Sequence, residues 1–192
     1  RGSNGFAIGG EKTASGNAML LINPHTSFFF RGESHVVSEE GLNAYGATTW
    51  GQFFIYQGFN EKTGWMHTST GTDIIDEFKE TIVKTNDKTH YTYGEKMLPV
   101  DSIQVSLNYA TNTGTSSKDF TLFRTHHGPI THSEGNHWIS TALMWSPIKA
   151  LKQSFTRTKK SNHNEFHEMM DIRTNSSNNT VYADADGTIA YY

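Results

Sequence analysis

The chain has 192 residues, enough for one domain with its own core, and 19 acidic against 16 basic side chains leave a formal net charge of −3. That balance gives no footing for nucleic acid, and no run approaches the roughly 18 apolar residues of a membrane-spanning helix. The absence of cysteine excludes disulfides, thiolate catalysis and Cys-based zinc sites.

Aromatic residues at 12%, with frequent Ser, Thr, Asn and Gly, make a β-rich composition. In chain order, Phe6–Ile8 and Ala18–Ile22 read as short strands around the polar turn Ser15-Gly16-Asn17, and the aromatic run Phe28–Phe30 has strand length. Trp50–Tyr56 and Gly64–Thr70 are expected as strands flanking the turn Asn60-Glu61-Lys62. Thr72–Lys84 mixes aliphatic and acidic residues, and Tyr91–Tyr93, Asp101–Tyr109, Phe120–Arg124 and Trp138–Trp145 alternate or run apolar as strands do. Thr111–Lys118 reads as a polar hairpin loop. Ile148, Leu151 and Phe155 recur at helical spacing within Pro147–Thr156, and a second helix is expected over Asn162–Met170. Ser176–Asn179 reads as a turn, and Val181–Ala183 with Ile189–Tyr191 as a hairpin across Asp186-Gly187. No internal repeat or linker is visible, and Tyr191-Tyr192 falls inside a strand pattern, as if the domain were truncated at its C-terminus.

Ser3, in Arg1-Gly2-Ser3-Asn4-Gly5, is by itself an ordinary turn residue, and Asn23-Pro24-His25 after an apolar run is an ordinary strand end. Five blocks taken together carry more: Gly2–Ile8, Gly16–His25, Gly64–Thr68, Arg124–Ile130 and Asn179–Ile189. In order and rough spacing they resemble the penicillin acylase family of N-terminal-nucleophile (Ntn) amidohydrolases, which includes acyl-homoserine-lactone acylases, over nearly the whole chain. The resemblance implies an α+β fold, the Ntn-hydrolase αββα sandwich of antiparallel sheets present in part. Residues 1–192 would be the N-terminal portion of the catalytic β-chain domain.

The implied activity is hydrolysis of a linear amide through an N-terminal serine acyl-enzyme. Cleavage of Gly2-Ser3 makes Ser3 the first residue, and its α-amine, with an ordinary pKa near 7.7–8.0, then serves as base for its own hydroxyl. While Gly2 is attached, that nitrogen is an amide and takes no proton. The resemblance assigns one oxyanion-hole donor to the backbone N–H of Ser69 and places His25 beside the nucleophile, where a structural histidine is the alternative. An Asn completing the oxyanion hole and a supporting Arg fall beyond residue 192 in the family. Thr26, Phe28, Gln57 and Phe59 correspond to the acyl pocket. Thr26 and Gln57 stand where penicillin acylases carry phenylalanines, which argues against a phenylacetyl preference. Asp73, the Ile75 carbonyl and Asp76 match a calcium-binding segment, against the alternative of a solvated acidic turn. His67 and the pair His126-His127 read as structural. No cofactor is implied for catalysis. The implied partners are a small acyl amide substrate, a separate α chain and the remainder of the β chain, in the periplasm or outside the cell. The competing reading is a non-catalytic β-rich binding or structural domain, or a family member that no longer cuts itself.

Overall fold

The computed structural model describes residues 2–86, 88–174 and 177–192. Its contacts separate two compact units, Arg1–Asp73 with Ser146–Tyr192, and Ile74–Trp145. The first unit begins with β1 (Asn4–Ile8), β2 (Met19–Asn23), β3 (Arg31–Ser38), β4 (Leu42–Thr49), β5 (Gln57–Asn60) and β6 (Thr63–Ser69). The second holds β7 (Asp76–Thr85), β8 (Lys88–Tyr93), β9 (Lys96–Pro99), β10 (Asp101–Thr111), β11 (Gly114–Arg124), β12 (Ile130–Glu134) and β13 (His137–Ala142). The chain returns to the first unit with α1 (Pro147–Arg157), α2 (His163–Met170), β14 (Asn178–Asp184) and β15 (Ile189–Tyr191).

A six-stranded antiparallel sheet, ordered β15-β14-β6-β5-β4-β3, forms the centre of the first unit. Side chains alternate along a strand, so β6 serves two layers. Thr63, Trp65 and His67 face one way, toward α1 and α2. Trp65, Tyr182, Phe166 and Met169 are buried there with Ala44 and Ile55, and the Phe166 and Tyr182 rings lie 4.5 Å apart. Full burial of side chains of this size stabilises by about 1.5–3 kcal/mol each. The α2 N-terminus is capped by Asn162, whose side chain accepts from the Glu165 N–H, while the Glu165 carboxylate accepts from the Ser161 N–H.

Gly64, Met66 and Thr68 face the other way, toward the two-stranded sheet β1-β2. Their alternation with Trp65 and His67 explains how that sheet and the helices occupy opposite faces. The approach is close: a Cβ on Gly5 would lie 2.5 Å from Met66 Sδ, and one on Gly64 would lie 2.7 Å from Leu20 Cδ2. At the far end of β14, buried Asp184 fixes the turn to β15, accepting from Tyr182 Oη at 2.8 Å and from the Asp186 and Thr188 N–H groups.

The sequence expectations fail at three places in this unit. Strands β3 and β4 were not expected, and Trp50–Tyr56, expected as a strand, is a run of turns and bends ahead of β5. Trp50 and Phe53 are exposed there, and Gly51 has φ +84°. Phe28–Phe30 is likewise a turn, with all three rings exposed. Strand β4 hides its signal because it is built for close approach. A Cβ on Gly46, with φ +152°, would lie 2.2 Å from the Gln57 carbonyl oxygen, and one on Gly58 would lie 2.1 Å from that of Tyr45.

The second unit has a five-stranded antiparallel sheet, β12-β13-β7-β8-β9, and the separate hairpin β10-β11. The expected loop Thr111–Lys118 is mostly strand, for pairing continues to Thr111↔Gly114 and leaves Asn112 and Thr113 as the turn. The expected strand Trp138–Trp145 ends at Ala142. Both helices and the β14-β15 hairpin form as expected, whereas the expected turn Ser176–Asn179 lies partly outside the described residues and its Asn178 opens β14. Among the described residues, no helix is long and apolar enough to cross a membrane.

Candidate active site

Ser3 immediately precedes β1, half-buried, and the register Asn4↔Asn23 sets it opposite Pro24 at the open end of the β1-β2 pair. Its Oγ accepts a hydrogen bond from the His25 backbone N–H at 3.0 Å. Its carbonyl accepts one from Thr68 Oγ1 at 2.5 Å, and a Cβ on Gly2 would lie 3.3 Å from the same Thr68 oxygen. Thr68 thus holds the peptide that follows Ser3 and lies close to Gly2. Gly5 is needed two residues on because Met66 occupies the space a side chain would take.

The structure therefore joins Ser3 to His25 through the main chain of His25. Both the His25 ring and Thr26 are on the exposed segment leaving β2.

Ser69 closes β6, exposed and paired with Asn178. Its N–H orientation follows from the ladder. The Thr70 N–H donates to the Ser177 carbonyl at 3.1 Å, so Thr70 points its polar groups at the β14 side and Ser69, one residue earlier, points its own away. On that other side β5 pairs with β6 only at Gly64 and Trp65. The Ser69 N–H is thus turned out of the β14 ladder, one residue beyond the Thr68 that holds Ser3.

The segment is anchored from the opposite face by His67, which is 1% exposed. Arg157 Nη1 lies 2.6 Å from His67 Nε2 and Thr180 Oγ1 lies 2.9 Å from Nδ1. Arginine only donates, so Nε2 is the acceptor and the ring proton resides on Nδ1. Burial foremost, then the charges of Arg157 and Arg31, holds this imidazole well below its ordinary pKa. The His67 carbonyl accepts from Gln57 Nε2 at 2.9 Å. Sequence reasoning gave His67 no more than a structural part and missed Thr68 and Arg157. The alternation of the Gly64–Ser69 block was the available signal for Thr68.

The family's acyl-pocket positions are spread out. Gln57 is 2% exposed and bound to the His67 carbonyl, while Phe28 is 87% exposed in the turn before β3. Phe59 packs against Tyr45 at 5.6 Å and lines a cavity of about 340 Å³ with Ala18, Leu20, Ile22 and Gly64. Ser3, Thr26, Phe28 and Gln57 do not line that cavity.

Asp73 ends the first unit, and Ile75 and Asp76 belong to the start of the second; all three are exposed. Two carboxylates and a carbonyl are hard oxygen donors of the kind calcium takes, but fewer than the six to eight it needs. Among the described residues, no group of three or more His, Asp or Glu is placed to hold a metal. In the second unit, His127 Nδ1 meets Glu80 Oε1 at 2.9 Å and His126 Nδ1 meets Tyr91 Oη at 2.6 Å, so both histidines serve packing around buried Glu80 and Tyr91.

The sequence profile of the penicillin amidase family matches residues 1–192. The chain belongs to the penicillin amidase family. Among curated members it is 28% identical over 143 residues to the acyl-homoserine lactone acylase PvdQ of Pseudomonas fluorescens strain Pf0-1, covering 70% of this chain and 18% of that protein. It is 30% identical over 142 residues to PvdQ of Pseudomonas savastanoi pv. phaseolicola, again over 70% and 18%. Among solved penicillin amidases, the thermostable penicillin G acylase of Alcaligenes faecalis superposes with a TM-score of 0.74 at 20% identity, over 98% of this chain and 34% of that one. The Ntn-hydrolase sandwich of antiparallel sheets expected from the sequence is thus the fold that the chain shares with that penicillin G acylase. The chain spans about a fifth of the length of these curated relatives.

Proposed function

We propose that residues 1–192 are the N-terminal portion of the catalytic domain of an N-terminal serine acylase that hydrolyses linear amides. The observation that carries this reading is the setting of Ser3: its hydroxyl oxygen is held by the His25 N–H, its carbonyl by Thr68, and Ser69 follows next on β6. The serine of the family motif therefore stands beside the segment that the motif assigns to the oxyanion hole.

In maturation, Ser3 Oγ attacks the Gly2 carbonyl carbon, the acyl group moves from nitrogen to oxygen, and water hydrolyses the ester. Gly2 leaves with a carboxylate and Ser3 gains an α-amine. In turnover, that amine takes the hydroxyl proton as Oγ attacks the substrate carbonyl. The Ser69 N–H stabilises the oxyanion, and the amine's proton passes to the departing nitrogen. Water, deprotonated by the same amine, then releases the carboxylic acid and regenerates Ser3. No cofactor enters these steps. Calcium, bound by Asp73, the Ile75 carbonyl, Asp76 and oxygens from elsewhere, would be structural. A separate α chain and the rest of the β chain are the proposed partners, and the periplasm or extracellular space the proposed location.

The substrate class proposed is an amide with an aliphatic acyl group. The named activity of the curated relatives, on acyl-homoserine lactones, supports an acyl amide, and the absence of aromatic rings at Thr26 and Gln57 favours an aliphatic acyl group. The test is Ser3→Ala in the full polypeptide that carries these residues. Mass spectrometry should find one uncut chain, and amide hydrolysis should be lost. Two chains with a Gly2 terminus in that variant would refute self-cleavage by Ser3.

A further inference from the structure

Arg157, the last residue of α1, is fully buried. Its Nη1 is committed to His67. Its Nε and Nη2 are buried and have no hydrogen-bond partner among the described residues. These two groups form the side-on edge of the guanidinium, a fork whose parallel N–H bonds match the two oxygens of a carboxylate. No carboxylate among the described residues is ion-paired with Arg157.

Charge sharpens the point. Arg31 lies with its guanidinium 4.5 Å from the centre of the Tyr56 ring, and its Nε and Nη1 are also buried without hydrogen-bond partners among the described residues. The Tyr56 ring is in turn 5.0 Å from that of His67. Two guanidinium ions thus flank an imidazole that burial keeps neutral. Burial draws Arg157 down to about 10, which leaves it charged at neutral pH. A water molecule would satisfy an N–H group but not the charge, and an uncompensated buried ion is strongly destabilising.

We propose that the Nε/Nη2 fork of Arg157 is a carboxylate-binding site on the helix side of the central sheet. It lies across β6 from Ser3, because His67 and Thr68 point to opposite faces, so it is separate from the acylase site and holds whatever the fate of that assignment. One helical turn earlier on α1, Gln153 lines a cavity of about 350 Å³ with Met170, Asp171, Arg173 and Tyr192, which Arg157 itself does not line. The carboxylate has two possible sources, a small acid from solution or an Asp or Glu side chain from a segment outside residues 1–192.

The experiment titrates the full polypeptide carrying these residues with sodium formate against sodium chloride at constant ionic strength, reading Tm, and determines its structure with formate present. A free-acid site gives a saturable upward shift in Tm with formate, absent in Arg157→Lys, which keeps the charge but loses the fork. A side-chain source gives no formate shift, an Asp or Glu carboxylate across the fork in the structure, and a formate shift that appears once that residue is changed to its amide. Formate that merely tracks chloride, with only water or main-chain carbonyls on Nε and Nη2 of the wild type, overturns the proposal. The structural readout needs no variant, so it decides the matter even where Arg157→Lys misfolds.

Discussion

Thr68→Val removes one hydroxyl at nearly constant volume and leaves the Ser3 carbonyl without the partner it has at 2.5 Å. Thr68 is half-buried, and Ser3 is held otherwise by the His25 N–H on its Oγ. A hydrogen bond of this kind is worth about 0.5–1.5 kcal/mol net, and a partly desolvated carbonyl left unpaired costs about 1–3 kcal/mol. The loss in global stability is therefore about 1–2 kcal/mol. The functional loss is the larger one, because the bond fixes the peptide that carries the proposed nucleophile. A mispositioned nucleophile forfeits part of the orientation that makes attack effectively intramolecular, and displacement by about 1 Å costs on the order of a hundredfold. Self-cleavage at Gly2-Ser3 and turnover of a chromogenic amide should both slow by roughly ten- to a hundredfold. Thr68→Ser, which keeps the hydroxyl, should recover most of the rate. The assays are a mass-spectrometric time course of the chain beginning at Ser3 and kcat/KM on the mature protein. If Thr68→Val matures and turns over within twofold of the wild type, Thr68 does not position Ser3.

The remaining predictions concern pH, substrate and metal. The His67 imidazole stays neutral in the folded protein, whereas the unfolded chain takes up a proton below about pH 6.5. Its contribution is therefore complete above that pH and declines as pH falls through it, with a slope approaching ~1.4 kcal/mol per pH unit; denaturant unfolding of His67→Gln between pH 7 and pH 5 should lack that part of the slope, and an identical slope would mean that His67 is protonated in the fold. Without rings at positions 26 and 57, phenylacetyl amides should fall behind aliphatic acyl amides by roughly ten- to a hundredfold in kcat/KM, at about 0.5–1.5 kcal/mol per lost ring contact; a panel with matched leaving groups that favours phenylacetyl over every aliphatic chain would reverse the pocket assignment. Chelation should lower Tm, by an amount equivalent to about 2.7 kcal/mol for calcium at a hundred times its dissociation constant, and Asp73→Asn with Asp76→Asn should abolish the difference. A wild-type Tm indifferent to chelator would remove calcium from the account.

Strand β6 shows why some of this was legible in sequence and some was not. Gly64-Trp65-Met66-His67-Thr68-Ser69 reads along the chain as one block, and the family resemblance fixed its register. In space it is two sets of side chains. Trp65 and His67 bind the block to the helix layer, through the cluster with Phe166 and through Arg157. Met66 and Thr68 face β1, one accommodated by Gly5 and the other bonded to Ser3. Period two is visible in the letters, but the identity of the two partners is not, because Arg157 lies 90 positions away and Ser3 lies 65. The same limit hid β4, whose pairing with β5 depends on Gly46 and Gly58 passing at a distance no side chain tolerates, so glycine interrupts the pattern that announces a strand. A change on the helix face, at Arg157 or His67, should thus reach Ser3 through a single residue's shift of the β6 backbone.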